Sequence, residues 1–359
     1  MTPTAQEVEP VCIGLIGCGK ISAAYLQAAP DYPVLDMVAC ADIDHAAAQR
    51  IGAEFGLQVM EVDDLLASDD VEAVLNLTVP AAHAPVNLAA LQAGKHVYCE
   101  KPFAVDPAAG AEVLAAARER GLRVGSAPDT FLGAGHQTVR TLVDADRIGR
   151  VVAASAIWMG HGHEGWHPSP AFFYEQGGGP HFDMGPYYLT ALVHALGPVR
   201  AVTAMTGRAF ETRTVGSGPN AGAVVPVQVD THLSGTLEFA SGCIGTIAMS
   251  FDVWRHAHPC LELYGTEGSI SAPDPNGFGG PVAVADPGGE WTEVPLAGGP
   301  TANARSIGLA DMCIGLRSGT PHRCSGDLAQ HVLEVMAAFD RSAAERAQIP
   351  IDSRPGRPG

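Results

Sequence analysis

Residues 11–22 constrain this chain more than any other stretch. Val11-Cys12-Ile13-Gly14-Leu15-Ile16 is a short apolar run, and it enters Gly17-Cys18-Gly19-Lys20-Ile21-Ser22 before Ala23 to Ala29 continues as a helix. Strand, glycine turn and helix in that order form the setting in which a dinucleotide pyrophosphate is held. Gly17 would make the tight turn and Gly19 would let the backbone approach the phosphates. The helix amino end would add N–H donors and a positive dipole. Cys18, Lys20 and Ile21 complete the candidate binding turn, and Ser22 stands where a third glycine is usual. The bland alternative is an ordinary turn after a strand.

The rhythm that follows argues for the first reading. Leu35 to Ala41 forms a second strand ending at Asp42, which lies 23 residues past Gly19. That is close to the ~20 expected for a carboxylate that holds the ribose 2'-hydroxyl. A carboxylate there repels an extra phosphate, so NAD is favoured over NADP. Asp42 or Asp44 can also be read as the cap of a helix over His45 to Phe55. Val71 to Leu77 is a third strand, leading into Thr78-Val79-Pro80 and a helix from about His83 to Ala93. Val97 to Cys99 is a fourth, closed by Glu100-Lys101-Pro102. Asp106-Pro107 then starts a helix that Gly121 ends, before a fifth strand over Leu122 to Gly125.

Strands alternating with helices this regularly predict an α/β domain with a doubly wound parallel sheet. Proline stops a strand and biases the residue before it toward an extended backbone, so Lys101 is held at a strand's carboxyl end. In the usual 3-2-1-4-5 order the first and fourth strands are neighbours across the switch point. Lys101 is then expected to share a crevice with the glycine turn, facing a reaction. The alternative is a surface lysine engaged in an ion pair.

From Pro128 onward the pattern changes. A helix around His136 to Asp144 and a strand over Val151 to Trp158 are followed by long alternating runs: Val199 to Phe210, Val227 to Phe239 and Cys243 to Trp254. Ala240-Ser241-Gly242 joins the last two as a hairpin. These predict an α+β domain with an open, mainly antiparallel sheet, with helices over 302–318 and 325–344. The expected organisation is a Rossmann domain over 1–128, a substrate and oligomerisation domain over 129–347, and a polar tail over 348–359.

Within the second half, Gly177-Gly178-Gly179-Pro180-His181-Phe182-Asp183-Met184-Gly185-Pro186-Tyr187 precedes an apolar helical run. Asp183 and Tyr187 stand at i and i+4, on one face near a helix start. The glycine triplet beside an acid and a phenol suggests a backbone that closes on a ligand. Asp183 can instead be a charge that complements the helix dipole. His161-Gly162-His163-Glu164-Gly165-Trp166-His167 tempts toward a metal, but no second ligand cluster supplies the set, and none is expected. Polar and aromatic groups that grip a hydroxylated substrate fit better.

A formal charge of -18 repels phosphate backbones and anionic lipid, so nucleic acid and membrane are excluded as expected partners. No basic, apolar leader opens the chain and no run of about 18 apolar residues occurs, which makes a cytoplasmic protein the expectation. The eight cysteines are scattered singly through mostly apolar contexts and read as buried thiols.

Together, these marks resemble the Gfo/Idh/MocA family, named for glucose-fructose oxidoreductase and inositol dehydrogenase. The resemblance runs from Val11 to about Ala347. It rests on Gly17-Cys18-Gly19-Lys20-Ile21, on Thr78-Val79-Pro80 with His83, on Ala93-Gly94-Lys95-His96-Val97 running into Glu100-Lys101-Pro102, and on the Gly177 to Gly185 stretch. It implies NAD(P)-linked oxidation of sugars or cyclitols, a homodimer or homotetramer built on the second sheet, and catalytic roles for Lys101 and Asp183. It also implies that Thr78, Pro80, His83 and Glu100 serve the cofactor.

A histidine commonly follows that aspartate by four residues, and here the position is Tyr187. Removing a proton from a secondary carbinol requires a base. A phenol with an ordinary pKa of ~10 can serve where a nearby cation lowers it, which makes Tyr187 the candidate acid/base. Asp129, Thr130, His163, Trp166 and His167 are further candidates for substrate contact. Two other functions suit the same residues: an NAD-retaining lyase or hydrolase that cleaves a glycosidic bond by transient oxidation, and a non-catalytic NAD sensor.

Overall fold

A computed structural model describes residues 9–167 and 169–358. Among them the chain divides into two compact units. One takes the chain up to Leu132 together with Ala302–Gln330 and Pro358, and the other takes Gly133–Thr301 and His331–Arg357. Residues 302–330, assigned to the second half by sequence order, thus pack with the first unit.

The first unit alternates β1 (Val11–Ile16), α1 (Ser22–Ala28), β2 (Leu35–Ala41), α2 (His45–Phe55), β3 (Gln58–Val59), α3 (Val62–Ala67), β4 (Ala73–Asn76), α4 (Pro80–Gln92), β5 (His96–Cys99), α5 (Pro107–Arg120) and β6 (Val124–Ser126). The strands form one sheet in the order β3-β2-β1-β4-β5-β6, and all of its pairs are parallel. Helices on both faces explain why β1 and β4 read as continuous apolar runs, with nearly every residue buried. Helix ends follow local chemistry. Asp44 and Asp106 accept backbone N–H groups as N-caps. Gly56 and Gly121 close the same two helices in the left-handed region.

Two expectations need correction. The sheet has six strands, because Gln58–Val59 is too short to leave a periodic signal and went unrecognised. Counting it makes Ala73–Asn76 the fourth strand, so β1 is flanked by β4, and β5 with its Glu100-Lys101 end lies one strand further out. The helix expected from about His83 begins at Pro80, which takes the first helical turn where a missing N–H is harmless.

The second unit holds α6 (Ala134–Asp144), β7 (Val151–Met159), α7 (Pro180–Asp183), α8 (Gly185–Leu196), β8 (Val199–Gly207), β9 (Thr212–Thr214), β10 (Val224–Pro226), β11 (His232–Phe239), β12 (Ile244–Ser250), β13 (Leu261–Gly265), β14 (Ser269–Ala272), β15 (Ala283–Ala285) and β16 (Thr292–Glu293). Then come α9 (Ile307–Ser318) of the first unit, α10 (Gly326–Glu345) and β17 (Ile349–Pro350). Nine strands pair in the order β16-β15-β14-β13-β7-β12-β11-β8-β17, antiparallel except for β7 beside β12. β9 and β10 form a separate hairpin. All twelve residues of α8 are buried. The stretch expected as a polar tail is anchored: β17 pairs with β8, Ile349 and Ile351 are buried, and Arg357 pairs with Asp144. No helix among the described residues is long and apolar enough to cross a membrane.

Candidate active site

The glycine turn is built by exclusion. Gly17 has φ +101, and a Cβ there would stand 2.5 Å from the carbonyl carbon of Leu77, so no other residue fits. Around Gly19 nothing lies within 4 Å of the corresponding position, so bare backbone faces open space. Ser22 compensates for the missing third glycine. It is fully buried and its hydroxyl donates to the Gly19 carbonyl at 2.7 Å. Asp42 follows β2 directly and lies against this turn, accepting the Cys18 N–H at 2.6 Å on Oδ2 and the Asp44 N–H at 2.8 Å on Oδ1. Lys20 is exposed and Ile21 half-buried. An open glycine backbone, a helix start and a carboxylate at the end of the second strand fit a dinucleotide.

At the ends of β4 and β5 the expected residues form a brace. Asn76, fully buried, donates to the His83 carbonyl at 3.1 Å and accepts from the Thr78 hydroxyl at 2.7 Å. The His83 ring sits between two carbonyls, with Nδ1 2.6 Å from Pro102 and Nε2 2.9 Å from Thr78. Burial pushes its pKa below the ordinary value. Glu100 is buried too, its Oε1 accepting from the Tyr25 hydroxyl and its Oε2 from the Lys101 N–H, each at 2.8 Å. His83 and one oxygen of Glu100 therefore serve the backbone that carries Thr78, Lys101 and Pro102, while the Lys101 side chain is half-buried. Asn76 and Tyr25 were missed by sequence reasoning. The signal for Asn76 was a lone amide inside an apolar strand.

Asp129 and Thr130, expected as substrate contacts, are each 2% exposed. Asp129 accepts the Gly308 N–H at 3.2 Å on Oδ2, and burial pushes its pKa up to about 6.

In the second unit, Asp183 closes the short α7 and Tyr187 lies in the first turn of α8, with Met184 between the helices. The Asp183 carboxylate meets Nε2 of His163 at 2.7 Å. The glycine triplet does not bend around open space: Gly177 and Gly179 take positive φ, and a Cβ on Gly178 would meet the Phe172 and Phe173 carbonyl oxygens at 2.6 Å. The close approach that demanded glycine is to the chain's own backbone. Trp166 is 54% exposed and packs edge-on against His163 and His167. His161 stacks on Trp254 at 3.3 Å between centroids.

Comparison with known proteins identifies the family of this fold. Residues 11–127 match the oxidoreductase family with an NAD-binding Rossmann fold, and residues 136–271 match the GFO/IDH/MocA C-terminal domain. A 1,5-anhydro-D-fructose reductase of Ensifer adhaerens is 29% identical over 265 residues, covering 72% of this chain and 74% of that protein. A dTDP-3,4-didehydro-2,6-dideoxy-alpha-D-glucose 3-reductase of Saccharopolyspora spinosa is 30% identical over 270 residues, with 73% and 74% covered. An inositol 2-dehydrogenase of Rhizobium meliloti is 24% identical over 346 residues, with 95% and 99% covered. Among solved structures, an NAD binding oxidoreductase from Klebsiella pneumoniae shares the fold at a TM-score of 0.83 and 22% identity, covering 97% of this chain and all of that one. Open glycine turn, parallel six-stranded sheet, mixed nine-stranded sheet and both family matches lead to one assignment: the chain is an NAD(P)-dependent oxidoreductase of the Gfo/Idh/MocA family.

Proposed function

We propose that the protein transfers a hydride between a nicotinamide cofactor and a secondary alcohol of a sugar, sugar derivative or cyclitol, with Lys101, Asp183 and Tyr187 acting on the carbinol. One observation carries the reading. In a fold of this family, Lys101 follows β5 on a backbone whose N–H is fixed by the buried Glu100 carboxylate. Bound at the glycine turn, the cofactor supplies the nicotinamide carbon that exchanges the hydride. Gly17, Cys18, Gly19, Lys20 and Ile21 hold it, Thr78 and Pro80 flank it, and Asp42 selects NAD.

The ammonium of Lys101 binds the substrate oxygen and stabilises the negative charge that grows there. Tyr187 takes the hydroxyl proton, and Asp183 orients the hydroxyl. Trp166 and His167 contact the sugar, the exposed indole of Trp166 offering an apolar face to a ring's C–H bonds, and His163 lies behind Asp183. Two relatives that act on sugar substrates and one on inositol, by their names, support this substrate class.

The test is a panel of monosaccharides, inositols and glycosides with NAD and NADP, followed by the absorbance of reduced nicotinamide. Lys101→Ala is expected to retain NAD binding while turnover falls by orders of magnitude. Near-normal turnover in that variant removes the assigned role.

We also propose a homodimer or homotetramer formed through the nine-stranded sheet. Met205 and Ile244 are 80% and 59% exposed. Cross-strand pairing of Met205 with Ser234, and of Ser234 with Ala248, sets the register of β8, β11 and β12 that carries both. Light scattering of Met205→Glu/Ile244→Glu, expected to show a smaller species, tests it.

A further inference from the structure

The Asp183 carboxylate is held by a built environment. Its Oδ2 lies 2.7 Å from Nε2 of His163, and the two side chains are 12% and 10% exposed. An ionised carboxylate only accepts, so Nε2 carries the proton of this bond. The imidazole cannot swing aside, because the rings of Phe173, Phe251 and Trp166 surround it at centroid distances of 4.3, 4.9 and 5.3 Å.

The next residue anchors that ring. Glu164 is buried, and its carboxylate accepts from the Tyr174 hydroxyl and from Nη1 of Arg213 at 3.0 Å. Nη2 of Arg213 donates to the Phe251 carbonyl at 3.1 Å and to Asp252, whose other oxygen accepts from the Thr231 hydroxyl at 2.7 Å. The Glu164 carbonyl accepts the Gly216 N–H at 2.7 Å. At Gly162, where φ is +77, a Cβ would stand 2.2 Å from Glu164 Oε2, so the segment passes close to its own anchor. A buried triad of charges adds little net stability over well-packed apolar residues, but it fixes one geometry.

We propose that His163 is the positioning residue of Asp183, and that the Glu164–Arg213–Asp252 triad holds His163 at that reach. The proposal rests on the reading of Asp183 as an active-site carboxylate. A carboxylate free to rotate would misplace the substrate hydroxyl, and a misplacement of about 1 Å can slow a reaction ~100-fold. The effect belongs to kcat, because orientation matters most in the transition state.

Three substitutions test this with kinetics. His163→Leu is expected to lower kcat by roughly 10- to 100-fold with the sugar KM within about threefold. His163→Gln, whose amide can still donate, should recover part of the loss. The double variant His163→Leu/Asp183→Asn should be no slower than Asp183→Asn alone. Wild-type kcat in His163→Leu, or losses that multiply in the double variant, overturns the proposal.

A second readout does not depend on turnover. With 15N-labelled histidine, the bond should give a downfield imidazole N–H proton resonance that His163→Gln and Asp183→Leu both remove and Glu164→Gln weakens. If no sugar or cyclitol is oxidised yet that resonance behaves so, the reaction assignment fails and the positioning pair stands. A wild-type spectrum without it, or one that Asp183→Leu leaves intact, overturns the pair.

Discussion

The hydroxyl of Tyr25 donates to Oε1 of Glu100 at 2.8 Å while Oε2 of the same carboxylate accepts the N–H of Lys101. One buried carboxylate thus ties the helix after the glycine turn to the peptide that carries the lysine. Burial, and then the Glu100 charge, hold the Tyr25 pKa well above its ordinary value, so the phenol stays a donor. Tyr25→Phe removes that donor with almost no change in volume and leaves a buried oxygen short of a partner. The expected loss is about 1–3 kcal/mol in urea unfolding at unchanged m-value, accompanied by lower turnover. A loss too small to measure would show that Glu100 holds Lys101 without help from α1.

Asp129 makes stability depend on pH in an unusual direction. Burial raises its pKa from 3.8 to about 6, so folding favours the protonated carboxyl. Its contribution is complete below about pH 4 and is lost as pH rises through 6. Asp129→Asn keeps an oxygen for the Gly308 N–H and cannot ionise. Melting curves of the two proteins should coincide near pH 4, and at pH 8 the variant should be more stable by up to ~3 kcal/mol. An equal difference at both values would mean that ionisation is not the cause.

Two histidines act in the opposite sense. Nε2 of His331 accepts the Val199 N–H at 3.0 Å and Nδ1 meets the Ser353 hydroxyl oxygen at 2.8 Å, an arrangement that requires the neutral ring. Burial lowers the pKa of His331 and of His136 from 6.5 to about 4. These groups contribute stability above about pH 6.5, and it is lost as pH falls through 4, at roughly 3 kcal/mol each. Acid unfolding should therefore begin below pH 6.5. His331→Gln should flatten that limb of the curve, and an unchanged limb would assign it to other groups.

Most of the first unit was legible because its code is local. Apolar runs bounded by glycine and proline gave five of its strands, and Asp106-Pro107 and Gly121 marked α5 as the structure has it. Gln58–Val59 was invisible: two residues show no period, and its pairing with β2 is tertiary. That omission moved the lysine strand next to β1. For the proposed site, the sequence offers candidates where a residue type suggests its chemistry, as at Lys101 and Asp183. It offers nothing where side chains distant in sequence pair. Nothing in the spacing of His163 and Asp183 says that the two side chains meet. Nothing in the sequence ties Glu164 to Arg213, and only the fold brings them together at 3.0 Å. The glycine triplet was a true backbone signal with the wrong object, since Phe172 and Phe173 carbonyls take the room a side chain would need.

Asp42 joins the proposed cofactor choice to turn geometry. Its carboxylate accepts from Cys18 inside the glycine turn and from Asp44, so any substitution touches both the proposed ribose contact and the turn. Asp42→Asn removes the charge but retains an oxygen for the Cys18 N–H, whereas Asp42→Ala removes both. A negative charge about 4 Å from a 2'-phosphate costs up to ~4 kcal/mol in a partly exposed site. Removing it should raise kcat/KM with NADP by one to two orders of magnitude in both variants. With NAD the two should diverge, Asn losing little and Ala losing about tenfold or more as the turn loosens. Steady-state kinetics with both cofactors decides the point. Equal behaviour of Asn and Ala with NAD would confine Asp42 to the ribose, and a wild-type enzyme that already uses NADP as well as NAD would remove its selecting role.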